Sequence, residues 1–355
     1  MLNAVLCLLL ACIIILPNPT FAQLSYESNA TQYSTQIQLA VQYLVSHYDS
    51  SLGLVYESED PGVSWLRSQY LDFDLSYPQV YWLYSDNLFS SLALAQWEPA
   101  IAANVSRTIS QYHVPPSGKF EAVNGSVIGL DRDASNIIIE RTSTYAILIR
   151  IHNGSLTGAD WYYADDATYR ALSLYYEGHT QEAATWLSHV FDMWNGTCLA
   201  DESTKPAPTS LNGAPTDANY CDQFEVGLAL FAARVLDINY AQIRSMEQFL
   251  WSAQNELGGI RSLTQNGIPL GTANCETTSL ALLQYDSVLI EKLRNQTAST
   301  QSTAVIGPYA TAVAPPTSRS TMLAISSLIV VVLVIIAFVV AFGKRKGRIR
   351  LKDGM

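Results

Sequence analysis

The stretch Gly258–Leu283 reads GGIRSLTQNGIPLGTANCETTSLALL. Its glycine pair closes an amphipathic run, Ile243, Met246 and Leu250, whose members recur about once per helical turn. Glycine is the residue that best tolerates the left-handed turn ending a helix. A short extended piece follows, Gly259-Ile260-Arg261-Ser262, then a polar loop. An acid, Glu276, then heads the apolar run SLALLQY from Ser279 to Tyr285. A helix apolar on every face is buried on every face. The stretch therefore reads as a one-striped outer helix, a connecting loop, and an inner helix whose mouth carries a carboxyl.

The same order recurs along the chain. Ile37, Ala40, Val41, Leu44, Val45 and Tyr48 form one stripe, and Gly53-Leu54-Val55-Tyr56 follows. Ile101, Val105, Ile109 and Tyr112 form another, after Pro99 at a predicted first helical position, and Gly118-Lys119-Phe120-Glu121 follows. Ala183, Trp186, Leu187, Val190, Phe191 and Trp194 lead to Gly196-Thr197-Cys198-Leu199. The all-round apolar segments are Asn87–Ala95 and FEVGLALFAARVL from Phe224 to Leu236. Each inner segment opens on an acid: Asp86, Glu140, Asp166, Asp222 and Glu276. The alternation breaks at Ile137–Leu148, which is either partly extended or lacks its outer helix.

Tyr81–Leu94 (YWLYSDNLFSSLAL), Tyr162–Gly178 (YYADDATYRALSLYYEG) and Gly258–Leu283 together resemble the α/α-toroid class of the six-hairpin glycosidase-like superfamily. The likeness is one of repeat style, spans nearly all of residues 23–295, and includes no catalytic signature. It implies an all-α fold, a two-layer barrel of helical hairpins, and glycans as substrate; about nine helices are countable against the twelve of a complete six-hairpin barrel, which leaves closure of the ring open.

In such a barrel the inner helices all begin at one end, so the five acids would ring one mouth. Glycoside cleavage needs two carboxyls, one protonated for the leaving oxygen and one ionised as base or nucleophile. Asp86 and Asp222 are the expected catalytic pair, with Glu140, Asp166 and Glu276 positioning. Tyr81, Trp82 and Tyr84 just before Asp86 are the expected stacking platform for sugar rings. The competing reading is that acids at helix starts merely cap them, at about 1 kcal/mol each, and that the aromatics are hydrophobic staples. Two function classes therefore stand: a glycan-processing enzyme, and a non-catalytic module that binds carbohydrate or protein or scaffolds an envelope layer.

The chain ends give an address. Of 355 residues, 49% are hydrophobic and the net charge is −11. Residues 1–22 carry no charged side chain and read as a signal peptide with a cut after Ala22. Residues 322–342 read as a single transmembrane helix. The tail 343–355 holds six Lys or Arg against one Asp and is expected in the cytoplasm. Removing its +5 leaves −16 for the remainder, which excludes a phosphate-backbone binder, so no nucleic-acid partner is expected. Residues 296–321, rich in Ser, Thr and Pro, read as a stalk. The expected protein is a single-pass cell-membrane glycoprotein with an extracellular domain at 23–295 and a glycan or cell-surface polysaccharide as partner. Sequons at Asn29, Asn104, Asn124, Asn153, Asn195 and Asn295 all fall on the side expected outside.

Three cysteines lie beyond the signal, so one bridge at most is expected within the chain. Cys198–Cys221 would staple a Pro-rich loop at the mouth, and Cys221–Cys275 is the alternative. No metal-ligand cluster, phosphate loop or serine-hydrolase elbow is present in the sequence, so no metal or cofactor is expected.

Overall fold

A computed structural model describes residues 29–58, 79–128, 134–152, 161–201 and 220–303. Among them are nine α-helices and three small sheets. The helices are α1 (Ser34–Ser46), α2 (Phe89–Leu94), α3 (Pro99–Gln111), α4 (Ala164–Tyr176), α5 (Thr180–Asp192), α6 (Gln223–Val235), α7 (Ile243–Ser252), α8 (Cys275–Leu283) and α9 (Ser287–Thr303). The strands are β1 (Tyr48–Asp49), β2 (Leu54–Val55), β3 (Gln79–Trp82), β4 (Ala134–Arg141), β5 (Tyr145–His152), β6 (Tyr220–Asp222), β7 (Arg261–Gln265) and β8 (Ile268–Ala273).

The expectation of an all-α toroid is therefore corrected to a mixed fold of helices and sheets. The loops read as helix connectors are where strands form. Strands β1 and β2 pair with each other, β3-β5-β4 form one sheet with β3 parallel to β5, and β6-β7-β8 form an antiparallel sheet. The irregular stretch around Ile137–Leu148 is the β4–β5 hairpin, with Ile137 opposite Ile149 and Ile138 opposite Leu148. Its run of isoleucines suits a pleated, half-buried surface better than a helix. The β7–β8 hairpin turns at Asn266-Gly267, both with positive φ (51° and 78°), the backbone that a two-residue hairpin turn of this type requires.

The expected membrane helix at 322–342 lies outside the described residues, as do the signal peptide, the basic tail and Asn153. Among the described residues no helix is long and apolar enough to cross a membrane. Helix α9 continues to Thr303, past Asn295.

Helices α2, α4, α6 and α8 make the interior. Helix α8 packs between α6 and α2, and α4 packs on the other side of α6. Nearly every residue of α6 and α8 is buried. Close crossing of these two depends on Gly227, where a Cβ would lie 3.1 Å from the backbone of Leu280 and Ala281. Helices α3, α5 and α7 cover the interior through one stripe each. In α5 the stripe is Ala183, Leu187, Val190 and Phe191, the one-face spacing of a half-wet helix.

Candidate functional site

Asp86 occupies an unusual backbone. Strand β3 runs straight into a π-helical turn, Leu83–Leu88, before α2 begins. Such turns are rare and occur disproportionately at functional sites. Asn87 in the same turn pins β2. Its Nδ2 donates to the carbonyls of Val55 and Trp82, both at 2.9 Å, and its Oδ1 accepts from Val55 N–H at 2.6 Å. Glu57, two residues past β2, is held through its backbone: its N–H donates to Val80 O at 2.8 Å, and its carbonyl accepts from Cys275 N–H at 2.9 Å. That places Glu57, Asp86 and the start of α8, with Glu276, side by side.

These three carboxyls share one electrostatic environment. Burial pushes Glu57 up to about 8, helped by the charge of Glu276 and opposed by the Trp82 side chain as donor. Burial holds Asp86 well above the ordinary carboxylate range, with Glu57 and Glu276 adding to it, against the backbone N–H groups of Glu276 and Trp82. Glu276 is pushed to about 7 by burial and Asp165, with Arg150 and Lys119 pulling it down. Glu57 and Asp86 are almost fully buried, and one oxygen of each, Oε2 and Oδ2, accepts no hydrogen bond.

A second group meets the first through Glu276. The segment between α3 and the 3-10 turn Phe120–Asn124 delivers Lys119, because Glu121 accepts from the backbone N–H groups of Ser117 (2.7 Å) and Gly118 (3.0 Å) and fixes the loop. The buried Lys119 Nζ lies 2.5 Å from Asp165 Oδ2 and 2.6 Å from Asp166 Oδ1, in the first turn of α4, and 5.3 Å from the Tyr169 ring centroid. Burial raises Asp165, but Lys119 overcomes this and holds it below its usual value. Asp222, at the junction of β6 and α6, goes the other way: burial, then Asp165, Asp201 and Glu276, push it to about 7. Glu225, in the first turn of α6, stays well above its usual range through burial and the charges of Asp201, Asp222 and Asp165, against Lys119. Asp165, Asp222 and Glu276 each keep part of their surface open to solvent although protein surrounds them on most sides.

Simple capping does not account for these positions. Asp222 is the residue before α6 but makes no capping bond through its side chain. The cap of α8 is Asn274, which accepts from Thr277 N–H at 2.8 Å, and not Glu276. The start of α4 is closed by Asp201, whose Oδ2 accepts from Ala164 N–H at 2.7 Å.

Of the acids expected at the mouth, Asp86, Asp166, Asp222 and Glu276 come together. Glu140 does not. It lies on β4 and accepts from Tyr145 and, at 3.3 Å, from Tyr112, in a separate tyrosine cluster. The expected stacking platform is interior: Tyr81 is fully buried and donates to Asp49 and Gln79, Tyr84 donates to the carbonyls of Val114 and Pro115, and Trp82 packs with Val80, Ala146 and Leu148. Tyr162, three residues before Asp165 in sequence, is 53% exposed. Cys198 and Cys221 are bonded, and Cys275 is a buried thiol outside that bridge, its Sγ donating to Tyr56 O at 3.2 Å. That bond ties the stretch just before Asp201 to the strand carrying Asp222.

Sequence reasoning missed Glu57, Lys119, Asp165 and Glu225 as members. Glu225 had a signal: a charged residue in the second position of the otherwise apolar run FEVGLALFAARVL. Among the sequons, Asn195 and Asn295 are exposed, Asn124 is half-buried and Asn29 lies in a short 3-10 turn. Asn104 sits within α3, with its Nδ2 donating to Tyr48 and its Oδ1 accepting from Arg107 at 2.9 Å. Among the described residues no cluster suited to a metal ion occurs. Compared with known proteins, the chain matches no protein-family model, no curated protein and no solved structure. The expected membership of the six-hairpin glycosidase-like class thus has neither the fold nor a family match behind it.

Proposed function

We propose that this chain is a glycan-cleaving enzyme that works outside the cytoplasm, by acid–base chemistry at the recessed acidic mouth. The observation that carries the reading is the split between Asp222 and Asp165, electrostatically coupled neighbours displaced in opposite directions. Pairs driven apart in this way are how one site holds both a proton donor and an ionised base. Asp222, protonated near neutral pH, gives its proton to the glycosidic oxygen as the bond from the anomeric carbon breaks. Asp165, kept ionised by Lys119, takes a proton from the water whose oxygen joins that carbon. Glu276 buffers the same field, and the exposed Tyr162 offers a ring face to a sugar. The Cys198–Cys221 bond fits an oxidising compartment.

The competing reading, a non-catalytic glycan-binding module, is favoured by one observation: Lys119 already engages both Asp165 and Asp166. Reducing-end release from a panel of polysaccharides separates the two. Asp222→Asn mimics the protonated carboxyl in shape and removes its proton. Activity in the wild type, lowered by about 100-fold or more in that variant with an unchanged melting temperature, supports the enzyme. Binding without turnover, or a fully active variant, rejects it.

A further inference from the structure

Deepening that reading, on which it rests, we propose that the mouth selects a glycan bearing a free protonated amine, an unacetylated amino sugar, whose ammonium docks on Glu276 with Glu57 and Asp86 behind it. Among the described residues the site is short of cations. Lys119 is committed to Asp165 and Asp166, and Arg150 is the other cation acting on Glu276. Behind Glu276, Glu57 and Asp86 are 6% and 1% exposed, and Oε2 of the first and Oδ2 of the second have no donor. Ionising these two carboxyls would strand those oxygens as buried acceptors without donors, at a cost on the order of 1–3 kcal/mol each. An ammonium brings three donors, a positive charge and no acceptor. An acetamido group at the same place brings one N–H and a carbonyl oxygen, which adds another acceptor to an acceptor-rich site.

The charge arithmetic gives a second signature. Glu57, Asp86 and Glu276 hold protons they would lose in water, chiefly because they are buried; the charge of Glu276 adds to this at Glu57, those of Glu57 and Glu276 at Asp86, and that of Asp165 at Glu276. Asp165 and Asp222 face Glu276 from α4 and from the β6–α6 junction with the same sign, while Lys119 and Arg150 oppose them. An added ammonium stabilises the ionised triad, so docking expels a proton to solvent. A neutral sugar has no such effect.

Calorimetric titration of the full chain at neutral pH tests this, in two buffers of different ionisation enthalpy. The probes are a glucosamine tetrasaccharide, its N-acetylated counterpart and spermine. The expected result is binding of the free-amine sugar at least about tenfold tighter than the acetylated one, with buffer-dependent heat showing proton release. Glu57→Gln, which cannot release its proton, is expected to weaken the free-amine sugar by about tenfold and leave the acetylated one unchanged. Equal affinity for the two sugars, tighter binding of the acetylated one, no binding of either, or binding of spermine alone overturns the proposal. The wild-type comparison decides even where the variant misfolds. Selective amine binding without cleavage of any glycan keeps this inference and rejects the catalytic reading. Cleavage of neutral glycans without amine preference does the reverse.

Discussion

Replacing Lys119 by methionine removes the one charge while keeping most of the stem. The side chain is almost buried and bridges two carboxylates at 2.5 and 2.6 Å, themselves only 20% and 12% exposed. Removing one partner of a buried ion pair typically costs about 3–5 kcal/mol, because the opposite charge is stranded. For a domain of this size each kcal/mol lowers the melting temperature by roughly 2–4 °C, so a fall of about 6–20 °C is expected at pH 7. The pH dependence is the sharper readout. In the wild type Asp165 lies below its ordinary 3.8, so its contribution is present above that value and is lost only as pH falls through the lower folded value. Without Lys119, burial is opposed only by the Asp166 N–H and the charge of Arg150, the smaller of the influences on Asp165, and Asp165 moves up. The variant then relieves its stranded charge by binding a proton, and its deficit shrinks as pH falls to about 5. Thermal unfolding followed by circular dichroism at pH 5, 7 and 8 measures this. A fall under about 2 °C at pH 7, or a deficit that does not change with pH, refutes the ion-pair argument.

Two further outcomes follow from the same geometry. Glu57 and Glu276 are raised to about 8 and about 7 from ordinary values of 4.5, so the folded state holds extra protons and stability declines as pH climbs through that window; Glu57→Gln is expected to flatten the decline between pH 5 and 8 by roughly 2–4 kcal/mol, and a parallel curve would reject it. Glycopeptide mapping of the full chain expressed in a secreting, glycosylating host is expected to find glycan on the exposed Asn195 and Asn295 and none on Asn104, whose amide is engaged inside α3; occupancy at Asn104 would contradict the placement.

Helical periodicity was legible wherever a helix had one wet face. The stripe from Ala183 to Phe191 and the run after Pro99 are in the structure as helices with those residues buried. Periodicity says nothing about what lies between helices, and there the reading failed. Asn266-Gly267 is a strong two-residue hairpin signal flanked by Leu263 and Ile268, yet a repeat of helix, glycine and loop absorbed it. At the mouth, helix-start position brought out Asp86, Asp166, Asp222 and Glu276. The same logic points to Glu140, where the structure has a strand and not a helix. It missed Glu57 and Lys119, which reach the mouth from loops by contacts over long sequence separations, such as Cys275 N–H to Glu57 O. No local pattern encodes such pairings.

The π-helical turn at Leu83–Leu88 has a mechanical meaning. On one side β3 is locked in register with β5, Trp82 opposite Leu148. On the other, α2 is locked to α8, where Ser90 and Ser279 share a buried hydrogen bond of 2.9 Å. Two rigid bodies with fixed phases rarely meet in step, and a widened turn absorbs the mismatch of one residue. Removing a residue here would let an ordinary helix form and would rotate its start by about 100°. The carboxyl of Asp86 would then leave its neighbours while both bodies stayed intact. The turn is thus a phase adjuster, and the acid seated in it is the residue most sensitive to that phase.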